Sequence, residues 1–131
     1  MRLSIILPTY NERKNILHLI PQLENLIKKF DKKSEIIVVD DSSPDGTADL
    51  ARKLNKKYGN IKVVLRQKKE GMGAAIKAGF DNANGDILVS IDVDSLGPDD
   101  IEKMLGKLYQ GYDLVVGSRH SKKGLYKKSY V

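Results

Sequence analysis

Five apolar runs limit what this chain can fold into: LSIILP (3–8), EIIVVDD (35–41), IKVVLR (61–66), DILVSID (86–92) and DLVVGS (113–118). Each is continuous rather than alternating. A strand with one wet face alternates apolar and polar residues, so a continuous run calls for cover on both faces. Between the runs, apolar residues recur every three or four positions. Ile16, Ile20, Leu23, Ile27 and Phe30 predict an amphipathic helix over about residues 12–30. Pro21 removes a backbone donor inside it, so a kink or break is expected there. SSPDGTADLARKLNKKY reads as a turn at Ser43-Pro44-Asp45-Gly46 followed by a helix. GMGAAIKAGFDNANG reads as a helix of small residues packed close to the sheet and closed by Asn84-Gly85. A last helix starts at Pro98 and carries Ile101, Met104, Leu105 and Leu108. No two strands are joined by a two-residue hairpin loop. The order therefore specifies an α/β fold, a mostly parallel sheet with right-handed crossovers and helices on both faces.

With 131 residues, 40% of them hydrophobic, the chain fits one domain able to bury a core without staples. It has no cysteine, which excludes disulfides and thiolate metal sites. No apolar run is long enough to span a membrane, and no signal-peptide core follows Met1-Arg2. The net charge of +6 is concentrated: Arg119, Lys122, Lys123, Lys127 and Lys128 supply five of the six charges, within a stretch that holds no acid. The remainder is close to neutral, and its lysine pairs fall at helix ends or in loops, as a solvated surface does. This distribution argues against a nucleic-acid partner. The expected organisation is a domain over residues 1–120 followed by a basic tail, 121–131.

In parallel α/β sheets ligands bind outside the carboxyl ends of the strands. The residues expected there are Pro8, Tyr10 and Glu12 after the first run, Asp40 and Asp41 after the second, Asp92 and Asp94 after the fourth, and Arg119 after the fifth. Like carboxylates held close repel unless a cation lies between them. If the fourth strand continues, Asp92 and Asp94 project to the same side and reach one metal ion. Oxygen-only ligands select a hard cation, Mg²⁺ or Mn²⁺, that also bridges to substrate phosphates. Taken alone, the same two acids serve equally as caps for the following loop and helix. Tyr10 offers a face for stacking a nucleobase, and Glu12, Asp40 or Asp41 can accept from base N–H groups, although packing and turn-capping also account for these residues. There is no Gly-Lys-Ser/Thr phosphate loop and no G-x-G-x-x-G after the first strand, and Gly71-Met72-Gly73 is explained by close helix packing.

IILPTYNE, IIVVDDSSPDGT, EGMGAAIKAGF, GDILVSIDVD and DLVVGSR resemble, in order and spacing, the nucleotide-binding half of family 2 glycosyltransferases of the GT-A fold, nearest the dolichol- or polyprenyl-phosphate mannose or glucose synthases. The resemblance covers residues 1 to about 120. It implies a Rossmann-like nucleotide-diphospho-sugar transferase fold in which Pro8, Tyr10, Glu12, Asp40 and Asp41 hold the nucleoside of a GDP- or UDP-sugar. Asp92 and Asp94 then match the metal motif for Mg²⁺ or Mn²⁺, with Asp94 the direct ligand and Asp92 nearer the ribose or sugar. Arg119 would meet the phosphate of a polyprenyl or dolichyl phosphate acceptor. The implied reaction is metal-dependent, inverting hexose transfer, with Asp92, Asp94 and Arg119 as its catalytic residues.

Two departures qualify the resemblance. The subgroup's metal motif continues to a ligating glutamine, where this chain has Leu96, a residue that cannot coordinate a metal. The family's chains are also longer, so a fragment, a short paralogue or one part of a split enzyme with a partner chain is expected. The competing reading is a nucleotide-sugar-binding module without transfer activity of its own. A phosphoacceptor receiver also gathers acids at strand ends, but it has no use for LPTYNE or GSR. The basic tail, with Tyr126 and Tyr130 among its lysines, suits peripheral contact with anionic lipid as well as a solvated terminus. The expected location is cytoplasmic, at the cytoplasmic face of a membrane.

Overall fold

In the computed structural model, which describes residues 1–68, 70–94 and 97–115, strands and helices alternate from the first residue pair onward. The order is β1 (Leu3–Thr9), α1 (Arg13–Ile27), β2 (Glu35–Asp40), α2 (Thr47–Tyr58), β3 (Ile61–Leu65), α3 (Met72–Asp81), β4 (Ile87–Ser90) and α4 (Pro98–Leu108). The chain divides into two compact units, Met1–Gly97 and a second beginning at Pro98. The first holds the sheet. In the second, α4 begins on a proline, which suits the first helical position, and buries Ile101 and Leu105 one turn apart. Of the expected fifth strand, residues 113–115 are not in a strand and 116–118 lie outside the described residues, as do the expected boundary at 120 and the tail.

All described strand pairings are parallel, in the order β3-β2-β1-β4. Every residue of β1 and β2 is buried, whereas the edge strands β3 and β4 each have only one fully buried residue, Ile61 and Val89. The two central runs are therefore the ones that needed cover on both faces. Right-handed crossovers carry α1 and α2 over one face, because β2 and β3 step outward in one direction. They carry α3 over the other, because the next strand returns past β1. Ile6, Ile37, Val39 and Ala75 form the core under α3, with Val64 and Ala78 packed on them. Gly79 is required there: a Cβ would lie 2.5 Å from Ile6 Cγ2 and 3.2 Å from Val39 Cγ2. The small residues of α3 thus serve close approach to the sheet, as the sequence predicts.

Three expectations need correction. Of the kink or break expected at Pro21, the break does not occur: α1 runs as one helix past it. The carbonyl deprived of its donor is that of Leu17, whose residue is 45% exposed, so water can satisfy it. α3 ends at Asp81 with Asn82 as its cap, before Asn84-Gly85; the Asn82 side chain donates to the Ala78 carbonyl (2.8 Å) and closes the last turn itself. Gly85 answers a different need, since a Cβ there would meet Ser4 Oγ at 2.6 Å.

The third correction concerns β4, which stops at Ser90 instead of running on through Asp92. Its ladder with β1 pairs Ile6 with Ser90 and closes with the Ile91 N–H donating to the Ile6 carbonyl (3.1 Å). The next rung would need an N–H from residue 8. Pro8 has none, so the ladder ends and the chain leaves the sheet.

Candidate functional site

The strand order reverses between β1 and β4, and the carboxyl end of β1 at such a reversal is where parallel sheets bind their ligands. Around it stand the loops after β1, β2 and β4. Pro8 is buried and fixes where β4 departs, Tyr10 is 41% exposed at the rim, and Glu12 is half-buried with a carboxylate oxygen accepting from Asn15 Nδ2 (2.6 Å).

The two acids after β2 have different environments. Asp40 is fully buried; one of its oxygens accepts from Thr9 Oγ1 (2.8 Å) and Ser43 Oγ (2.6 Å), the other from the Ser43 N–H (2.9 Å). It ties β1 to the turn after β2. Asp41 is also buried, but its Oδ1 has no hydrogen-bond partner among the described residues. That oxygen lies 3.7 Å from Arg66 Nη1, which is equally buried and without a hydrogen-bond partner. Arg66 is held from two sides: its N–H donates to the Asp40 carbonyl (2.8 Å), its own carbonyl accepts from Ser42 Oγ, and Nη2 pairs with Glu70 (3.1 Å). Burial of an acceptor and a donor that lack hydrogen bonds is costly even within an ion pair, and such groups are usually satisfied by ordered water or a bound ligand. Side by side, they match a planar group that presents an N–H next to a carbonyl, as the lactam edge of guanine or uracil does. Arg66 is absent from the residues expected from sequence, where it reads only as the polar end of IKVVLR.

The loops after β1 and β2 are fastened together. Three successive N–H groups at the start of α1 donate into the second loop: Asn11 to Ser43 Oγ (2.8 Å), Glu12 to Thr47 Oγ1 (3.2 Å) and Arg13 to Asp45 Oδ2 (3.2 Å). Asp45 Oδ1 accepts from the Thr47 N–H (3.0 Å) and from the Thr47 hydroxyl. Although desolvation pushes the Asp45 carboxyl upward, these hydrogen bonds hold it below the usual carboxylate range. Both loops contain a non-glycine residue in the left-handed region, Asn11 (φ 54°) and Ser42 (φ 57°), which costs about 1 kcal/mol each. From sequence, Ser43, Thr47 and Asp45 signal only a turn and a helix start.

Beyond β4, Val93 and Asp94 form a turn in which Val93 is buried, Asp92 half-buried and Asp94 exposed. Because the strand has ended, strand alternation does not set the relation of the two acids; they flank a buried anchor instead. No group of three or more metal-ligating side chains occurs among the described residues. Two carboxylates still match the donor set of Mg²⁺ or Mn²⁺, which fill their remaining positions with water and diphosphate oxygens. Leu96 and Arg119 lie outside the described residues.

The Glycosyl transferase family 2 model matches residues 4–129. The chain belongs to this family. Over 95% of its length it is 40% identical to a dolichol-phosphate mannosyltransferase of Pyrococcus furiosus, of which it covers 35%. Over 98% of its length it is 30% identical to an undecaprenyl-phosphate 4-deoxy-4-formamido-L-arabinose transferase of Salmonella choleraesuis, of which it covers 40%. The chain thus spans well under half the length of these relatives. Among solved structures, a mannosyltransferase of Pyrobaculum calidifontis, in complex with GDP-Man and Mn²⁺, superposes with a TM-score of 0.72 at 28% identity, covering 88% of this chain and 34% of that one. The parallel sheet is that of the GT-A nucleotide-sugar transferases.

Proposed function

We propose that this chain is the nucleotide-sugar-binding portion of a glycosyltransferase that moves a hexose from a GDP- or UDP-sugar to a polyprenyl or dolichyl phosphate. The observation that carries the donor half of this reading is the Asp41–Arg66 pair, whose buried Oδ1 and Nη1 are matched by a base with adjacent N–H and C=O groups. Tyr10, 41% exposed, supplies a stacking face, and Pro8 and Glu12 are assigned to the nucleoside on sequence grounds. Support for the acceptor half comes from the relatives, whose names specify dolichol phosphate and undecaprenyl phosphate.

The reaction is a single displacement. An anionic oxygen of the acceptor phosphate attacks the anomeric carbon, the bond from that carbon to the diphosphate oxygen breaks, and the nucleoside diphosphate leaves with the electron pair. Configuration inverts, and no strong general base is needed because the phosphate monoester is already largely ionised near neutral pH. Asp41 and Arg66 hold the base, and Asp92 and Asp94 would hold Mg²⁺ or Mn²⁺ at the diphosphate. When bound, the ion offsets charge growing on the departing diphosphate. Arg119 is assigned to the acceptor phosphate and the basic segment 121–131 to anionic lipid at the cytoplasmic membrane face, both on sequence grounds. No described helix is long and apolar enough to cross a membrane.

A second reading is favoured by one observation, the chain's coverage of only 35–40% of its relatives: a binding module whose transfer activity needs further chain, in cis or from a partner. Titration calorimetry with GDP, UDP and ADP, each with and without Mn²⁺, tests the donor site. Binding of GDP or UDP strengthened by Mn²⁺ is expected, and equal affinity for ADP would sink the lactam-edge assignment. A parallel assay of sugar transfer to a polyprenyl phosphate separates the enzyme from the module.

A further inference from the structure

The geometry points to Asp45 and Thr47 as positioning residues for the donor site, a clip that acts on the nucleotide through the loop between β1 and α1. This inference rests on the nucleotide reading above and adds to it two residues outside that site. α1 has no side-chain cap from its own N-terminal residue, Glu12. A helix start normally leaves its first N–H groups to a local cap or to water. Here those of Glu12 and Arg13 are taken by Thr47 Oγ1 and Asp45 Oδ2, which come from the loop more than thirty residues downstream. The same carboxylate holds Thr47 through its N–H and hydroxyl, so one acid orients both acceptors. Gly46, at φ 83°, supplies the left-handed turn between them.

What the clip holds is the segment Tyr10–Glu12, including the Asn11 backbone in the left-handed region (φ 54°). Away from the left-handed region the Asn11 backbone would change the direction of the chain between Tyr10 and Glu12, which Ser43 holds at the Asn11 N–H and the clip holds at the next two. Asp41 is fixed from the same side, since its N–H donates to the Thr9 carbonyl (3.2 Å). The stacking face and the base-reading acid therefore share one frame, and Asp45 fastens the half of that frame which sequence-local interactions leave loose.

The test uses the whole chain in four variants. Asp45→Asn keeps shape and Oδ1 but replaces the oxygen that accepts from Arg13 with an NH₂ group. Thr47→Val is isosteric without the hydroxyl, Thr47→Ser restores it, and Asp81→Asn, which disrupts only an exposed pair with Lys77, is the matched control. Two readouts are taken: amide hydrogen exchange at Glu12 and Arg13 without ligand, and affinity for GDP and UDP with Mn²⁺. Asp45→Asn and Thr47→Val are expected to accelerate exchange at those amides and weaken nucleotide binding by about tenfold to hundredfold. Thr47→Ser and Asp81→Asn should match wild type in both. Unchanged exchange in Asp45→Asn overturns the clip. Faster exchange with unchanged affinity overturns its role in positioning. Wild-type protein that binds neither nucleotide overturns the nucleotide reading itself and this inference with it, a result distinct from both.

Discussion

The two ends of β2 each bury an acid, and they use it in opposite ways. At the amino end, Glu35 Oε1 accepts from Ser4 Oγ (2.9 Å) and the Asn84 N–H (2.7 Å), while Oε2 pairs with Lys62 (3.2 Å). Burial alone would raise its carboxyl, but these partners outweigh it and hold Glu35 below the usual range. At the carboxyl end, Asp41 leaves Oδ1 buried and without a hydrogen-bond partner, beside an arginine nitrogen in the same state. Equal burial therefore says little about role. A carboxylate with both oxygens engaged staples β1, β2 and the segment before β4, whereas one with an oxygen left without a hydrogen bond is what the proposed base-binding role requires.

Replacing Glu35 with alanine should have the largest effect, because it strands the Asn84 N–H and the Ser4 hydroxyl proton together, whereas the part-exposed Lys62 ammonium keeps the Asn82 carbonyl (2.9 Å). A loss of about 3 kcal/mol in urea unfolding is expected, with nucleotide affinity little changed in the folded protein. Asp41→Asn should do the reverse: thirtyfold or greater loss of GDP or UDP affinity, about 2 kcal/mol, with a melting temperature within a few degrees of wild type. If Asp41→Asn instead unfolds the protein as readily as Glu35→Ala, the contrast between the two ends fails.

A third acid sharpens the comparison through pH. Glu24 of α1 is 5% exposed, and desolvation raises its carboxyl despite the hydrogen bond donated by Asn60 Nδ2 (3.0 Å). Its Oε1 and Asn60 Oδ1 are buried without partners, two acceptors that a protonated carboxyl could help to satisfy. Glu24→Gln should therefore stabilise the protein at neutral pH by about 1 kcal/mol, or roughly 4 °C in melting temperature. The signs of the two acids oppose each other. Glu35, lowered on folding, contributes stability above its unfolded value that is lost as pH falls through its folded value. Glu24, raised on folding, contributes at pH below its unfolded value and loses that contribution as pH rises through its folded one. Between them the net gain in stability from acid to neutral pH should be smaller in wild type than in Glu24→Gln, because what Glu35 gains below the ordinary carboxylate value Glu24 partly loses above it. The smallest effect belongs to the exposed Asp49–Arg52 pair on α2 (3.1 Å), whose removal should change stability by at most about 0.5 kcal/mol.

Sequence made the sheet legible because its signal is local. Unbroken apolar runs marked β1 and β2, and the small residues of α3 announced the close approach that Gly79 makes to Ile6. The misjudged details were set by distant partners. β4 ends at Ser90 because of a proline about eighty residues earlier in the chain, and no window around DILVSID contains that fact. Arg66 became a site residue only when the parallel register brought the end of β3 beside Asp41. Ser43, Asp45 and Thr47 read as turn chemistry because their acceptor groups serve the N–H groups of another loop. The placement of Pro8, Tyr10, Glu12, Asp40, Asp41, Asp92 and Asp94 at or just beyond the carboxyl ends of β1, β2 and β4 was legible, but the different environments of Asp40 and Asp41 were not.

The strand order also sets a schedule for a chain emerging from a ribosome. Once Arg66 has been made, β1, β2 and β3 can pair and the clip between their loops can close. The backbone groups of Ile6 that meet β4 must wait for residues 87–91. At about 5–20 residues per second that gap of about twenty residues lasts roughly one to four seconds. Through that interval β1, every residue of which is buried in the finished sheet, offers a bare edge, the feature on which nascent chains aggregate.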